Sequence, residues 1–142
     1  MEILYEDNHI IIVNKHPGEI VQGDKTGDRP LVEDVRQYIK ERYAKPGNVF
    51  CGVVHRLDRP VWGLVVFSKT SKALSRLNEM FRNGLVRKTY RAITRNMPET
   101  AEGRTVSYIT STERNNKSYA STQPRPGAKQ AALTHRHIAS PH

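Results

Sequence analysis

The chain has 142 residues, 37% of them hydrophobic, and its 23 Lys and Arg against 14 Asp and Glu give a formal charge of +9. Its longest purely aliphatic run covers residues 10–13, whereas a membrane-spanning helix needs about 18 apolar residues. A single cysteine, Cys51, excludes an internal disulfide and a cysteine-rich zinc module. Because no basic and apolar leader opens the chain, we expect a protein of the reducing cytoplasm that does not enter the membrane.

The positive charge is concentrated in the later part of the chain. Residues 1–49 carry 7 basic and 9 acidic side chains, whereas residues 50–142 carry 16 basic and 5 acidic ones. Charge of one sign opposes compact folding unless a polyanion binds to it. Nucleic acid is the candidate partner, through phosphate neutralisation and counterion release. A basic protein without a polyanionic partner is the alternative.

Hydrophobic patterning predicts short strands and two helices. The first strand covers residues 10–13 and ends at a turn over residues 17–18, after which the polar residues 22–29 form an exposed loop. A helix then begins with Pro30 and ends before Pro46, because apolar residues recur at helical spacing between Leu31 and Ile39.

The same patterning continues through the second half of the chain. Two apolar strands occupy residues 53–67, and the polar segment 55–60 lies between them. A second helix over residues 68–82 has Ser68 or Ser71 as its N-cap and ends at Gly84. Further strands are predicted over residues 86–94, around 106–109 and over 131–139, while residues 111–127 are predicted to be loosely structured.

The polar segment at residues 55–60 is the strongest candidate for chemistry. It places Asp58 between Arg56 and Arg59, and a carboxylate beside guanidinium groups stays ionised. An ionised Asp serves as a nucleophile or an electrostatic stabiliser at neutral pH. A structural Asp–Arg pair that closes the connection between two strands is the alternative.

Other residues carry weaker indications. His135 and His137 share one face of a predicted strand, but no Cys is near and no Asp or Glu follows Glu113, so we predict no metal site. Cys51 fits a small core residue better than a nucleophile. Tyr90 fits either a core aromatic residue or a stacking platform for a base. No glycine spacing of the phosphate-binding kind occurs, so no nucleotide cofactor is predicted.

Residues 55–64, His-Arg-Leu-Asp-Arg-Pro-Val-Trp-Gly-Leu, resemble the HRLD loop of the RluA-like RNA pseudouridine synthases. Asn14 and Lys15, followed by His-Pro-Gly, resemble the end of the first motif of that family, an extended strand over residues 4–15. Lys88-Thr89-Tyr90 resembles its second element. The resemblance runs from about residue 3 to residue 139. It implies an α+β fold with a mixed, mainly antiparallel sheet and two helices, the N-terminal part of the pseudouridine synthase catalytic fold.

The resemblance also implies an activity and its residues. The expected reaction is the isomerisation of uridine to pseudouridine in rRNA or tRNA, without a metal or cofactor. Asp58 is then the catalytic carboxylate, Arg56 fills the space that the flipped-out base vacates, and Tyr90 packs on the uracil. The remaining residues expected to bind substrate or RNA are Lys15, His55, Arg59 and Lys88.

Two departures from the family pattern stand out. Trp62 replaces the usual Ser, and its indole either crowds the loop or points to solvent. The chain also ends before a late family motif of the type Gly-Arg-x-His-Gln-Ile-Arg, whose Arg contacts the catalytic Asp. We therefore expect residues 1–142 to form a single, incomplete catalytic domain without a small S4-type RNA-binding module at its N-terminus. A catalytically inactive RNA-binding remnant is the alternative to an active synthase.

Overall fold

The computed structural model describes residues 1–112 and 117–140. The chain divides into two compact units, Met1–Thr89 and Tyr90–His142. In chain order the elements are β1 (Glu2–Glu6), β2 (Ile10–Lys15), α1 (Leu31–Arg42), β3 (Gly52–Val53), β4 (Gly63–Ser68), α2 (Ser71–Arg82), β5 (Glu102–Thr112), β6 (Lys117–Ser121) and β7 (Lys129–Arg136). Within the described residues, neither helix has the length and apolar character that a membrane span requires.

The first unit contains a four-stranded antiparallel sheet in the order β1-β2-β4-β3. Its centre is the pair β2 and β4, which runs from Ile10 opposite Ser68 to Lys15 opposite Gly63. The extended strand expected over residues 4–15 is instead a hairpin of β1 and β2. The carboxylate of Asp7 makes the turn, since it accepts hydrogen bonds from the backbone N–H groups of His9 (2.7 Å) and Ile10 (2.8 Å).

The core lies between this sheet and α1. Alternate residues of β2 and β4 point to one face, and the residues Ile11, Val13, Val65 and Phe67 are fully buried there. Leu31, Val35 and Ile39 recur every four residues on α1 and complete the cluster. Helix α1 begins directly after Pro30, close to the predicted position. Cys51 belongs to the same core, as predicted, and burial raises the pKa of its thiol to about 12.

A half-buried polar cluster connects β1, α1 and the end of β4. Lys69 Nζ lies 2.6 Å from Glu6 Oε1, and the hydroxyl groups of Tyr38 (2.9 Å) and Tyr43 (2.8 Å) donate to the same carboxylate. Burial alone would raise the pKa of Glu6, but these three hydrogen bonds outweigh it and hold the pKa below its usual value. The cluster therefore depends on an ionised Glu6.

Helix α2 packs against β3 and β4. Its N-cap is Thr70, whose hydroxyl oxygen accepts the Ala73 N–H at 3.1 Å, so the prediction of Ser68 or Ser71 as the cap was wrong. Ser68 is the buried last residue of β4, where register with β2 holds it in the sheet. The helix ends at Arg82, and Gly84 follows with φ +67°, as the predicted stop requires.

The second unit is a three-stranded antiparallel sheet in the order β6-β5-β7. The strands predicted around 106–109 and over 131–139 correspond to β5 and β7. The loose structure predicted for residues 111–127 was wrong where β5 and β6 pair, because a partner strand supplies backbone hydrogen bonds that composition does not reveal. Residues 113–116 of that segment lie outside the described residues. The predicted strand over residues 86–94 is absent from the described chain, since no neighbouring strand pairs with it.

The predicted α+β class with two helices and mainly antiparallel pairing is confirmed.

Candidate active site

Residues 54–62 connect β3 to β4 and carry the HRLD segment; we call them the Asp58 loop. Leu57 packs against the hydrophobic core, and the next side chain, Asp58, is exposed. The loop then turns tightly, because the Val61 N–H donates to the Asp58 carbonyl oxygen at 3.0 Å. An apolar anchor and a closed turn therefore fix the backbone on both sides of an exposed carboxylate.

Lys15 supports this turn from inside the protein. It is the last residue of β2 and is fully buried. Its ammonium group donates to the backbone oxygens of Val61 (2.6 Å), Arg59 (3.1 Å) and His16 (3.1 Å). Burial lowers the pKa of Lys15, an effect that Glu19 and Asp58 oppose and Arg59 reinforces. The Lys15 side chain is thus directed to the backbone of the Asp58 loop.

Arg59 ties the Asp58 loop to the loop that follows β2. Its guanidinium group donates to Asp28 Oδ2 (2.8 Å), Thr26 Oγ1 (3.0 Å) and the Gly18 oxygen (3.2 Å), and lies 3.5 Å from Asp24 Oδ2. The Gly18 N–H donates back to the Arg59 oxygen at 2.8 Å. The structural pair of Asp58 with a neighbouring arginine, the alternative considered above, is therefore not found among the described residues, because Arg59 binds Asp24 and Asp28 instead.

His55 connects the beginning of the loop to β4 and α2. Its ring stacks on Phe81 with centroids 5.1 Å apart, and its Nε2 accepts the Val66 N–H at 3.1 Å. An accepting Nε2 carries no proton, so this contact requires the neutral ring. Burial lowers the pKa of His55, and the positive charge of Lys88 adds to this effect. Both influences favour the neutral form that the hydrogen bond needs.

The side chains of Arg56 and Asp58 are both exposed, and neither has a hydrogen bond or ion pair to the part of the chain that the structure describes. Trp62 is exposed by 72%. Of the two alternatives for its indole, exposure to solvent is therefore confirmed and crowding of the loop is not found.

The remaining predicted residues lie outside the loop. Lys88 is exposed at the end of the first unit, and Tyr90 opens the second unit with 61% of its surface exposed, so it is not a core aromatic residue. His135 Nε2 lies 3.2 Å from the Thr100 oxygen, and His137 has a separate partner in Ser140. Across residues 1–112 and 117–140, no three His, Cys, Asp or Glu side chains gather as metal ligands.

Sequence reasoning missed how this loop is held in place. The signal for Lys15 was available, because Lys15 follows Ile11 and Val13 at the period of two that marks buried positions of a strand. No comparable signal indicated that Asp24 and Asp28 would bind Arg59, since that contact joins residues more than thirty positions apart.

Comparison with known proteins adds independent observations. The family model described as RNA pseudouridylate synthase matches residues 9–141. The tRNA pseudouridine synthase C of Vibrio cholerae is 37% identical over 101 residues, which are 71% of this chain and 39% of that protein. The ribosomal large subunit pseudouridine synthase C of Buchnera aphidicola is 28% identical over 137 residues, which are 96% of this chain and 41% of that protein. The chain thus spans about two fifths of the length of these relatives.

A solved structure extends the similarity to the fold. The human protein RNA Pseudouridylate Synthase Domain Containing 4 superposes with a TM-score of 0.77 at 21% identity, covering 95% of this chain and 52% of that one. The family match covers both compact units and nearly the whole chain, and it confirms the RluA-like resemblance. The chain belongs to the RNA pseudouridylate synthase family.

Proposed function

We propose that the protein acts as an RNA pseudouridine synthase that isomerises uridine in structured rRNA or tRNA, with Asp58 as its catalytic carboxylate. The observation that carries the proposal is the exposed Asp58 carboxylate on a turn that Leu57 and Lys15 fix from inside. A carboxylate held in one position on an accessible surface suits attack on a substrate brought to it.

The reaction breaks the N1–C1′ bond of the nucleoside, turns the base and joins it again through C5, so the hydrogen on C5 leaves as a proton and the released N1 takes up a proton. The target nucleotide must leave the helical stack to reach a carboxylate on a protein surface. Asp58 acts at C1′ or covalently on the nucleoside. No step consumes an oxidant, a reductant or a cofactor.

Some of the predicted site residues have exposed side chains, whereas others direct their side chains to the protein itself. Arg56 is exposed next to Asp58 and fills the space that the flipped base leaves, while Lys88 contacts phosphate and Tyr90 stacks on the uracil. Lys15, His55 and Arg59, predicted as RNA contacts, act on the substrate in this proposal through the loop that they hold.

Surface charge supports RNA as the partner. Six cations of the first unit after residue 55 are exposed and make no ion pair within the described residues: Arg56, Lys72, Arg76, Arg82, Arg87 and Lys88. Exposed cations of this kind bind phosphates and fix position rather than sequence. We further propose that the two units belong to one catalytic domain, which the family match across both units supports, and that the protein works in the cytoplasm.

The test is release of tritium from RNA labelled at uracil C5. We expect release by the unaltered chain and none above background by Asp58→Asn. Glu79→Gln removes an exposed carboxylate from α2 instead, and serves as the matched control that keeps its activity. Equal release by the chain and by Asp58→Asn would contradict the assignment of Asp58.

RNA binding without turnover is the second candidate function. It rests on the six exposed cations named above, which can bind phosphates whether or not Asp58 acts on a base. No tritium release, together with RNA binding that weakens steeply as salt rises, would favour this candidate over catalysis.

A further inference from the structure

Trp62 has a highly exposed side chain, although hydrogen bonds hold the backbone next to it in place. The indole is exposed by 72%, although burying a large aromatic side chain normally contributes to stability. Two hydrogen bonds hold the preceding residue: the Val61 N–H donates to the backbone carbonyl oxygen of Asp58, and the Val61 carbonyl oxygen accepts from Lys15 Nζ at 2.6 Å. Core packing therefore does not explain this tryptophan.

The residue after Trp62 also has a constrained backbone. Gly63 adopts φ +139°, a conformation that side-chain-bearing residues rarely adopt, and it pairs with Lys15 as the first residue of β4. Trp62 thus lies between a bonded Val61 and the start of a strand, four residues after Asp58. Because the backbone on both sides of Trp62 is held in place, a ligand that covers the indole does not have to order this part of the loop.

The charge of the same unit indicates what kind of ligand that is. The first unit is rich in exposed cations, among them Arg56 of the same loop, and an apolar protein surface would leave their charge without a partner. A nucleic acid neutralises those cations with its phosphates and offers flat bases that stack on an aromatic ring.

We propose that Trp62 is a stacking platform for an unpaired RNA base next to the uridine bound at Asp58. The inference rests on the proposed RNA function and extends it, because it assigns a second base contact at a position where the family pattern has no aromatic ring. Stacking requires only the face of a base, so Trp62 strengthens binding to single-stranded or looped RNA with little preference for sequence.

Trp62 is the sole tryptophan of the chain, so intrinsic fluorescence reports on this residue alone. A short single-stranded RNA oligonucleotide is titrated into the Asp58→Asn protein, which keeps chemistry out of the measurement. Inorganic polyphosphate of matched charge serves as a ligand without bases. We expect RNA to quench the emission and polyphosphate to leave it nearly unchanged.

Variants provide the second measurement. Trp62→Ser is expected to weaken RNA binding about 5- to 150-fold, while the slope of log affinity against log salt stays the same because no phosphate contact is lost. Trp62→Phe keeps a stacking face and most of the affinity. Leu85→Ser removes a similarly exposed apolar side chain from the segment that follows α2 and is expected to have no effect.

The outcomes separate this inference from the proposed function. RNA binding without quenching, or equal weakening by Leu85→Ser, would overturn the role of Trp62 and leave the proposed function intact. An emission that changes with protein concentration alone would also overturn it, because Trp62 would then lie between copies of the chain. Quenching by RNA in a chain that releases no tritium would support the platform while the proposed catalysis fails. If no RNA binds at all, both proposals fall.

Discussion

Lys15→Met tests whether the buried ammonium group holds the Asp58 loop in place. Methionine keeps an unbranched side chain of similar length, so the cavity left behind is small. Three backbone oxygens, those of His16, Arg59 and Val61, lose their donor. At about 1 kcal/mol net for each hydrogen bond the loss is about 3 kcal/mol, and methionine recovers part of it because no charge has to be desolvated. We expect the free energy of unfolding to fall by about 2–3 kcal/mol, a large share of the 5–15 kcal/mol typical of a domain.

Urea unfolding followed by far-UV circular dichroism measures this loss, and amide hydrogen exchange at Val61 shows whether the turn itself opens. Lys72→Met removes an exposed ammonium group from α2 and is expected to change stability by less than about 0.5 kcal/mol. If Lys15→Met matched Lys72→Met in stability and kept Val61 protected from exchange, the three carbonyl bonds would not support the loop and the reasoning would be refuted.

Two further predictions concern an ion pair and a close contact in the first unit. Glu6 has a depressed pKa in the folded state, so its ion pair with Lys69 stabilises the fold above about pH 5 and is lost as pH falls through the folded pKa. We expect Glu6→Gln to lower the free energy of unfolding at neutral pH by about 2 kcal/mol and to make that free energy decline less steeply in acid. Urea midpoints measured from about pH 7 to pH 3 test both effects. If the stability of Glu6→Gln declined in acid as steeply as that of the unaltered protein, the stabilising role of the ionised Glu6 would be contradicted. Gly52→Ala directs a methyl group into Ser68 Oγ and to within 3.0 Å of Leu74, which should cost about 1–3 kcal/mol. Adding Ser68→Ala should restore part of that loss in the same urea experiment, and no recovery would show that Ser68 is not the obstacle.

The first unit could be predicted largely from its own sequence. The run from Ile10 to Val13 and the four-residue recurrence of Leu31, Val35 and Ile39 are local patterns; the run supplies Ile11 and Val13 to the core, and the recurrence marks the face of α1 that the structure buries. The second unit was harder to predict. Polar, β-compatible residues such as Thr110 and Tyr119 form strands only because they lie opposite each other, and such a pairing is set by the whole hairpin.

The position of the candidate site could be predicted, but its supports could not. The HRLD segment located Asp58 between two strands, which the structure reproduces. Charge alone then suggested that Arg59 would pair with its neighbour Asp58 or with RNA, whereas tertiary folding offers Arg59 two acids from a distant loop. Long cationic side chains reach partners that depend on the path of the whole chain, so their contacts are the part of a site that local sequence describes least well.

The irregular pairing of β1 affects how copies of the chain meet. β1 is an outer strand of its sheet, and its register with β2 shifts between Ile3 and Tyr5, which leaves Leu4 without a paired residue. A bulge of this kind interrupts the regular row of N–H and C=O groups to which a strand from another copy would add. The exposed carboxylate of Glu2 at the beginning of β1 adds repulsion between two such strands. The bulge thus favours a dispersed protein over edge-to-edge aggregates at high concentration.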